Sequence, residues 1–369
     1  MLTVGVNARV LAKPEPTGVG RYTSCLLDGL CAQFADEAEF VLFGLNEAQP
    51  ALTDYDCFRT VPEPAPHSGL RAHVWEQVRF PLALRNYDVD VLHTPAGAPP
   101  LTSTPSVATI HDISPIVHPE WFSTKYVALY RVLTAHAVRT TDRIVTVSEF
   151  ARDEIVERYP KARRKTVQIR NGVTPRDWDS GEAVEALDGR EFFLFVGAMN
   201  PRKNLRTLVE SYRHYREQVT EPVALALAGP KRDVFESEGL PRVDGVQTFG
   251  FVPEAQLTWL YRNAMAFVFP SLYEGFGLPI LEAMSAGTPV VTSDRGAMAE
   301  VAGNAALLVD PERRASLADA LERLTIDVEL RARLSAEGLS RAAEFTWKRA
   351  AEETMRVYRE VADGRSRTG

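Results

Sequence analysis

A pair of glutamates brackets a glycine-containing loop that follows a short apolar run. The run Ala266–Phe269 indicates a buried parallel strand, and Glu274 and Gly277 lie in the loop after it. Pro279 marks the start of a helix, because a proline at the first helical position loses no hydrogen bond there. Glu282 then falls in the first turn and can face the same opening. The unpaired N–H groups and positive dipole end of such a helix favour an anion, typically a phosphate. The alternative is a plain strand-to-helix turn in which one glutamate is solvated and the other only stabilises the helix dipole.

Two adjacent cations occupy a second strand–turn–helix unit. Arg202 and Lys203 follow the strand pattern of residues 192–197 and precede a helical pattern that begins near Leu205. Cations are unfavourable at a helix N-terminus unless an anion joins them. Lys203 can meet phosphate oxygens as a compact charge, and Arg202 can do so as a bidentate fork. We therefore interpret the pair as a phosphate site rather than as two solvated residues.

In the first half of the chain, polar residues also follow predicted strands. Gly18 and Gly20 end a loop rich in proline and glycine, too far from the first strand to form a dinucleotide fingerprint. Their amides can reach a phosphate, or the loop is only a flexible turn. His111 ends a strand and precedes Asp112, so that a ligand contact and a purely structural role are both open.

Strand and helix patterns alternate along the whole chain, which is typical of an α/β protein with doubly wound parallel sheets. A polar stretch without periodicity, 174–190, separates two such series and is interpreted as a linker. We therefore expect a Rossmann-like domain at 1–173 and another at 191–345, with a helical segment at 346–369. A ligand is expected in the cleft between the domains, at the carboxyl ends of the strands.

Two stretches of the first half lead to more local expectations. Thr53–Gly69 contains several prolines and no periodicity, and we expect it to be irregular. Leu70–Leu84 has the period of an amphipathic helix, which Pro81 should kink or end early. Three apolar residues share one stripe of this helix: Val74, Val78 and Leu82. Three arginines lie off the stripe: Arg71, Arg79 and Arg85. A solvated basic face is the simpler interpretation of the arginines, and contact with anionic lipid is the alternative.

Composition restricts the class of protein. The chain has 369 residues and a formal net charge of -7, which argues against nucleic acid as the main partner. No apolar run reaches the ~18 residues of a membrane span, and no signal-peptide pattern precedes the first strand. The three cysteines fit small core positions in a reducing compartment. Asp88 and Asp90 form a D-x-D pattern, but they lead into a strand rather than leave one, so we discount a metal. We expect a cytoplasmic protein, with a peripheral position at the inner face of the cell membrane as an alternative.

Taken together, these segments resemble the retaining, nucleotide-sugar-dependent glycosyltransferases of family 4, which have the GT-B fold. Glu274 and Glu282 match the E-x7-E element of the family, with Gly-Phe-Gly-Leu-Pro between them. The stretch Gly18–Tyr22 resembles the N-terminal glycine loop of the family. Pro201–Asn204 is similar to a Pro-Arg-Lys-Asn subgroup with many mannosyltransferases. The resemblance covers nearly the whole chain.

The resemblance implies transfer of a hexose with retention at the anomeric carbon and without a metal or other cofactor. It implies that Glu274 contacts the donor sugar and that Glu282 holds the ribose hydroxyls. Lys203, helped by Arg202, would hold the diphosphate, and His111 would lie by the reacting sugar. The backbone positions expected to bind the donor are Gly18, Gly20, Phe276, Gly277 and Leu278. The final helix would cross back to the first domain, although a surface helix of the second domain is the alternative.

One position departs from the family pattern. Many members have an arginine directly after the glycine that corresponds to Gly197, whereas this chain has Ala198, and Arg202 is the candidate replacement. The subgroup favours GDP-mannose as the donor and a saccharide or lipid-linked saccharide as the acceptor. Because no carboxylate is obviously placed as a nucleophile, we expect a same-face reaction in which the leaving phosphate takes the acceptor proton. A sugar-nucleotide 2-epimerase of the same fold and a non-catalytic nucleotide-sugar-binding protein are the alternative functions.

Overall fold

The structure is a computed structural model that describes residues 1–12, 17–45, 56–66, 69–96, 99–174, 176–229 and 239–366. The chain divides into two compact units, which are described separately. Unit 1 comprises Met1–Ile113, Ala128–Gly172 and Thr346–Gly369. Unit 2 comprises Ser114–Val127 and Val173–Phe345. Within the described residues, every helix is too short or too polar to cross a bilayer.

The regular elements alternate as the sequence predicts. The strands are β1 (Leu2–Asn7), β2 (Ala38–Gly44), β3 (Phe58–Pro64), β4 (Val91–Thr94), β5 (Ser106–Thr109), β6 (Arg143–Thr146), β7 (Thr166–Gln168), β8 (Phe192–Val196), β9 (Ala224–Ala228), β10 (Val246–Gly250), β11 (Ala266–Phe269), β12 (Val290–Ser293) and β13 (Leu307–Val309). The helices are α1 (Gly18–Phe34), α2 (Gly69–Val74), α3 (Phe80–Leu84), α4 (Ser114–Val117), α5 (Thr124–Thr140), α6 (Glu149–Arg158), α7 (Leu205–Gln218), α8 (Glu254–Asn263), α9 (Leu278–Ser285), α10 (Gly296–Ala302), α11 (Arg314–Ile326), α12 (Val328–Ala343) and α13 (Trp347–Ser366).

Each unit contains one parallel sheet with helical crossovers, which confirms the predicted fold class. Within the described residues, the sheet of unit 1 has the order β3-β2-β1-β4-β5-β6-β7 and that of unit 2 has the order β10-β9-β8-β11-β12-β13. The central strands of unit 2, β8 and β11, are apolar along their whole length because helices cover both faces of such sheets. The strand order reverses between β1 and β4 and between β8 and β11. Loops that leave the carboxyl ends at such a reversal diverge and form a crevice suited to a ligand.

Strand β3 corrects the expectation that Thr53–Gly69 is irregular. Residues 46–55 lie outside the described part of the chain, but Phe58–Pro64 pairs in parallel with β2, with Phe58 opposite Phe40. Prolines cannot donate to a sheet, and Pro62 and Pro64 are tolerated because β3 is an edge strand. The prolines concealed the strand from the sequence pattern.

The helix predicted over Leu70–Leu84 forms, but it differs from expectation in two ways. Pro81 does not end it; instead a π-helical turn, Trp75–Arg79, separates α2 from α3, and Pro81 lies in the first turn of α3. Because Pro81 has no backbone N–H, it cannot donate a hydrogen bond to the Gln77 carbonyl, and the wider turn accommodates this loss. The second difference concerns the orientation of the helix, because Trp75 and Phe80 face the core whereas the stripe of Val74, Val78 and Leu82 is exposed.

The boundaries of the units differ from those read from the sequence. The segment Ser114–Val127 belongs to unit 2, where the rings of His118 and Trp121 stack with centroids 4.1 Å apart and His118 meets Tyr273 edge-on at 5.4 Å. The stretch 174–190 is also part of unit 2 rather than a separate linker, since the Glu182 N–H donates to the Ala255 carbonyl at 3.1 Å. Both assignments depend on contacts distant in sequence.

The final helix α13 lies in unit 1, against α1. The amide of Gln33 donates to the Lys348 carbonyl at 3.1 Å, and the rings of Tyr22 and Trp347 meet edge-on at 5.9 Å. Cys31 of α1 is paired with Cys57 in a disulfide, with their Cα atoms 6.1 Å apart. This pairing differs from the expectation that the cysteines are unpaired core residues, since α1 and the start of β3 bring the two side chains together.

The backbone of Gly172 packs closely against the start of α13, so its substitution tests how tightly α13 is docked. A Cβ at Gly172 would lie 2.2 Å from the backbone nitrogen of Trp347. We expect Gly172→Ala to lower the free energy of unfolding by about 2 kcal/mol and the melting temperature by about 4–8 °C. Gly239→Ala is the control, because a Cβ there meets nothing within 4 Å. Equal melting temperatures for the two variants in calorimetry would show that α13 is not tightly docked.

Candidate active site

The strand reversal of unit 2 brings two loops together. β8 and β11 are adjacent, so the turn after β8 and the loop after β11 begin side by side. Arg202 and Lys203 lie in the turn Pro201–Lys203, and the Leu272 N–H of the second loop donates to the Arg202 carbonyl at 2.7 Å. The side chain of Asn204 strengthens this link by donating to the Pro270 carbonyl at 3.2 Å. The two loops therefore act as one scaffold.

Asn204 has a left-handed backbone conformation, which is unusual for a residue other than glycine. Among the described residues it is the non-glycine residue with positive φ, at 59°. Asparagine tolerates this left-handed conformation better than most residues, because its short side chain can hydrogen-bond locally. The second hydrogen bond of its amide, to the Pro311 carbonyl at 2.6 Å, keeps the residue in that conformation. Asn204 thereby sets the direction in which Lys203 leaves the turn, a role that sequence reasoning did not assign.

The central feature of this scaffold is a buried ion pair. Lys203 Nζ lies 2.5 Å from Glu274 Oε1, and both residues are less than a tenth exposed. Lys203 Nζ also lies 4.3 Å from the centre of the Phe269 ring, within the range of a cation–π contact. Arg202 Nη1 approaches the other carboxylate oxygen at 3.8 Å. The structure thus brings together three of the predicted residues, Lys203, Glu274 and Arg202, and the alternative of solvated cations is wrong for Lys203.

Two cations facing one carboxylate leave this cluster with a net positive charge. A buried charge is costly unless it is paired, and Glu274 supplies that partner for Lys203. The cluster can therefore hold the oxygens of a phosphate while one carboxylate oxygen stays near the same place.

Unpaired polar atoms surround the same sheet edge. Among the described residues, three buried side-chain oxygens at or just beyond the carboxyl ends of β8, β11 and β12 have no hydrogen-bond partner: Asn200 Oδ1, Ser271 Oγ and Ser293 Oγ. Buried polar atoms are normally paired, and such atoms at a ligand site are paired by the ligand. The sequence pattern places Ser293 at the carboxyl end of a strand, but it assigns no role to Asn200 or Ser271, whose types are ordinary for turns.

Glu282 lies in its own hydrogen-bonded environment. Tyr261 Oη donates to Glu282 Oε2 at 2.9 Å, and Arg176 Nη2 lies 3.4 Å from Glu282 Oε1. Arg176 is also paired with Glu254 at 2.7 Å. The helix begins one residue earlier than predicted, so Glu282 falls in the second turn of α9. Arg176 and Tyr261 are additional site residues, and Arg176 was missed because it lies in the stretch interpreted as a linker.

The backbone positions predicted for the donor lie at the start of α9. Gly277 has φ 106°, a conformation that favours glycine, and directly precedes the first helical residue, Leu278. The side chain of Phe276 is buried and meets the ring of Phe345 at 6.0 Å. Its packing fixes the loop so that the backbone, rather than the side chain, is available to a ligand.

In unit 1, His111 is held by its neighbours at the end of β5. Its Nε2 lies 3.0 Å from the Pro95 carbonyl oxygen, so Nε2 carries a proton and donates. The edge of Tyr22 meets the His111 ring at 4.6 Å. Burial lowers the pKa of His111, although the Pro95 hydrogen bond and the Asp112 charge oppose that shift. His111 is therefore a neutral imidazole with Nδ1 as an acceptor.

His93, in contrast, has a structural role. Its Nδ1 lies 2.6 Å from Tyr358 Oη of α13 and its Nε2 lies 2.9 Å from Thr109 Oγ1, so both ring nitrogens are occupied in either tautomer. Tyr22 Oη lies 3.2 Å from the same Thr109 oxygen. Burial lowers the pKa of His93 to about 3. This network connects α13 with Tyr22, which in turn contacts His111.

Gly18 and Gly20 lie in the first turn of α1, not in a loop. Thr17 caps this helix, and the Gly20 N–H donates to Thr17 Oγ1 at 3.1 Å. The amide that was expected to reach a phosphate is thus already used in the cap. Residues 13–16, which precede the cap, lie outside the described part of the chain. The capping role of Ser148 is confirmed, because its Oγ accepts from the Ala151 N–H at 3.0 Å.

Comparisons with known proteins identify the family of the chain. The family model described as Glycosyltransferase Family 4 matches residues 16–177, and the model described as Glycosyl transferases group 1 matches residues 179–341. O-antigen chain mannosyltransferase B of Escherichia coli is 33% identical over 75% of this chain and 76% of its own length. The chain therefore belongs to the family 4 glycosyltransferases, and it is a glycosyltransferase with the GT-B fold.

Two further proteins resemble the chain over most of its length. O-antigen chain mannosyltransferase RfbU of Salmonella typhimurium (strain LT2) is 29% identical over 70% of this chain and 72% of its own length. The structure of sucrose-phosphate synthase from Thermosynechococcus elongatus covers 99% of this chain and all of its own with a TM-score of 0.72, at 19% identity. The structural likeness supports the fold alone.

The buried pair makes a prediction about stability. Lys203→Met removes the main partner of the buried Glu274 carboxylate, and we expect a loss of about 3 kcal/mol in the free energy of unfolding of unit 2. The double variant Lys203→Met/Glu274→Leu should recover most of this loss, because no unpaired charge remains. Urea denaturation of the three proteins measures both quantities. A single variant as stable as the parent would show that the pair is solvated.

The pKa of His93 makes a prediction about pH. The unfolded chain binds a proton on His93 near its ordinary pKa of 6.5, whereas the folded chain does not until about pH 3. The free energy of unfolding therefore falls as the pH is lowered from 6.5 towards 3, by about 1.4 kcal/mol per pH unit from this group. We expect His93→Gln to remove that part of the slope. Denaturation of the parent and the variant at several pH values measures the difference, and equal slopes would contradict the prediction.

Proposed function

We propose that this glycosyltransferase transfers mannose from GDP-mannose to a saccharide or lipid-linked saccharide, with retention at the anomeric carbon and without a metal. The single observation that carries the proposal is the buried cluster of Lys203, Glu274 and Arg202. A nucleotide diphosphate leaves with developing negative charge on its oxygens, and fixed cations stabilise that charge where it forms. The choice of mannose is supported by two relatives whose names are those of mannosyltransferases.

The charges of the cluster support a same-face reaction. The bond between the anomeric carbon and the β-phosphate oxygen breaks, while the acceptor oxygen forms its bond to the same face of that carbon. The acceptor proton passes to the departing phosphate oxygen, so no protein base is required for this step. Lys203 and Arg202 neutralise the diphosphate, and Glu274, held by Lys203, contacts the sugar hydroxyls.

The remaining predicted residues have supporting roles in this proposal. Glu282, aligned by Tyr261, accepts hydrogen bonds from the ribose hydroxyls. His111 contacts the reacting sugar and, as a neutral imidazole, offers Nδ1 to a hydroxyl. Arg202 replaces the arginine that is absent at position 198, since it approaches the same carboxylate as Lys203.

A donor panel tests the proposal. We expect GDP-mannose, among GDP-mannose, UDP-glucose, UDP-GlcNAc and UDP-galactose, to raise the melting temperature and to release its nucleotide. A donor present at ~100 times its Kd adds about 2.7 kcal/mol to the free energy of unfolding, which a thermal shift detects readily. Arg202→Ala and Glu282→Ala should abolish the shift and the release. Arg206→Ala is the control, because Arg206 is a neighbouring but exposed cation on α7.

The outcomes separate the alternatives. Nucleotide release with an α-linked product in NMR spectra supports the retaining transferase, whereas a β-linked product contradicts retention. An epimerised sugar nucleotide that appears without an acceptor would identify a 2-epimerase. Donor binding without release would identify a non-catalytic protein, and a shift with a UDP-sugar alone would replace GDP-mannose as the donor.

A further inference from the structure

Arg176 lies in the stretch of unit 2 that precedes β8, and its side chain is largely buried. The side chain is 9% exposed, although arginines are mostly surface residues. Its guanidinium carbon lies 5.5 Å from the centre of the Trp178 ring, in the geometry of a cation–π contact. The Trp178 ring in turn meets the ring of Tyr261 edge-on at 6.1 Å. These aromatic contacts hold the guanidinium beside α8.

Two carboxylates share the Arg176 guanidinium. Its Nη2 lies 2.7 Å from Glu254 Oε1 and 3.4 Å from Glu282 Oε1. The side chain of Glu254 is 61% exposed, whereas that of Glu282 is 11% exposed. Water screens an ion pair with an exposed carboxylate, but it screens one with a buried carboxylate much less. The charge of Arg176 therefore acts chiefly on Glu282, despite the longer distance.

An unused hydrogen-bond donor distinguishes Arg176 from a simple structural ion pair. Within the part of the chain that the structure describes, Arg176 Nη1 is buried and has no hydrogen-bond partner. Stable arginine–carboxylate pairs commonly use two parallel N–H groups, and a buried donor without a partner costs stability. Departures of this kind concentrate where an arrangement serves ligand binding rather than stability.

The Glu282 carboxylate is held from two sides. Tyr261 Oη donates to Glu282 Oε2 at 2.9 Å, and Arg176 approaches the other oxygen. Because the two donors engage different oxygens, together they set the plane of the carboxylate. A carboxylate has about four acceptor positions, more than these two donors use. A carboxylate fixed in this way suits the adjacent 2′ and 3′ hydroxyls of a ribose, which present two donors side by side.

We propose that Arg176 is a positioning residue that orients Glu282 towards the ribose of the nucleotide and thereby makes binding selective for ribonucleotides over 2′-deoxyribonucleotides. The inference rests on the proposed function, in which Glu282 accepts hydrogen bonds from the ribose hydroxyls. Without Arg176, the carboxylate loses the neighbouring charge and one of the two donors that fix its plane. The stretch 174–190 thus contributes to nucleotide recognition through a residue that does not touch the nucleotide.

Calorimetric titration of the full chain with GDP and 2′-deoxy-GDP tests the proposal. UDP and 2′-deoxy-UDP are titrated alongside, so that the identity of the base does not decide the result. We expect the parent to bind the ribonucleotide about tenfold more tightly, because the deoxy compound cannot pair with the buried carboxylate. Arg176→Met should weaken binding of the ribonucleotide about tenfold and change binding of the deoxynucleotide less than about twofold.

Two further variants test whether Arg176 acts through Glu282. Arg176→Met/Glu282→Gln should bind GDP as Glu282→Gln alone does, because the effect of Arg176 disappears when its target is changed. Tyr261→Phe keeps the ring and removes the hydroxyl that holds the other carboxylate oxygen. This variant should also reduce the preference for the ribonucleotide, and it provides the same test if Arg176→Met does not fold.

Matched controls come from the neighbours of Arg176 and from an exposed cation. Glu254→Gln removes the charge of the exposed partner and leaves Arg176 beside Glu282, so the preference for the ribonucleotide should remain. Arg206→Met changes an arginine of α7 that is 60% exposed, and both affinities should remain those of the parent.

The outcomes separate this inference from the proposed function. An unchanged ratio of the two affinities in Arg176→Met and Tyr261→Phe would overturn the inference alone. An equal loss of preference in Glu254→Gln would also overturn it, because Arg176 would then serve to hold the start of α8. A parent that binds GDP and 2′-deoxy-GDP equally would remove the ribose role of Glu282 from the proposed function. A parent that binds none of the four nucleotides would contradict the proposed donor itself, and the inference would fail with it.

Discussion

The ion pair between Lys203 and Glu274 is the interaction on which the candidate site of unit 2 depends. Both groups are buried, so each charge depends on the other for much of its stabilisation. Their positions are set by two loops at the carboxyl ends of β8 and β11, which are joined by a backbone hydrogen bond and by Asn204. The sheet topology thus produces the charge arrangement, and the charge arrangement determines the class of ligand that unit 2 can accept.

Much of this arrangement could be predicted from sequence because it depends on local signals. The run Ala266–Phe269 and the residues that follow it specify strand, loop and helix without reference to distant residues, and the structure gives that strand the same bounds. The cations at positions 202 and 203 were assigned to a phosphate from helix electrostatics and from the resemblance to family 4. Their shared partner, Glu274, lies in that same loop after β11 but could only be matched to them once the strand order was known.

The predictions that were wrong or incomplete concern residues whose structure depends on contacts distant in the sequence. Edge strand β3 contains prolines that are harmless only at a sheet edge, and sequence does not show which strand is at the edge. The stripe of Val74, Val78 and Leu82 has the period of a core-facing helix, yet the bulkier Trp75 and Phe80 occupy the core. Arg176 and Tyr261 have ordinary local signals and gain a role only through Glu282. Strand order, side-chain volume and contacts with distant residues thus determine features of the structure that a local sequence pattern does not show.

The stacked rings of His118 and Trp121 pack against Tyr273 and thereby limit how this chain can be recombined with its relatives. Tyr273 immediately precedes Glu274, and it is supported by a segment encoded in the first third of the chain. Exchange of residues 173–345 alone between relatives would separate the loop that carries Glu274 from its support. A chimera that keeps this support must therefore move Ser114–Val127 together with that block, because the compact unit that carries Glu274 is discontinuous in the chain.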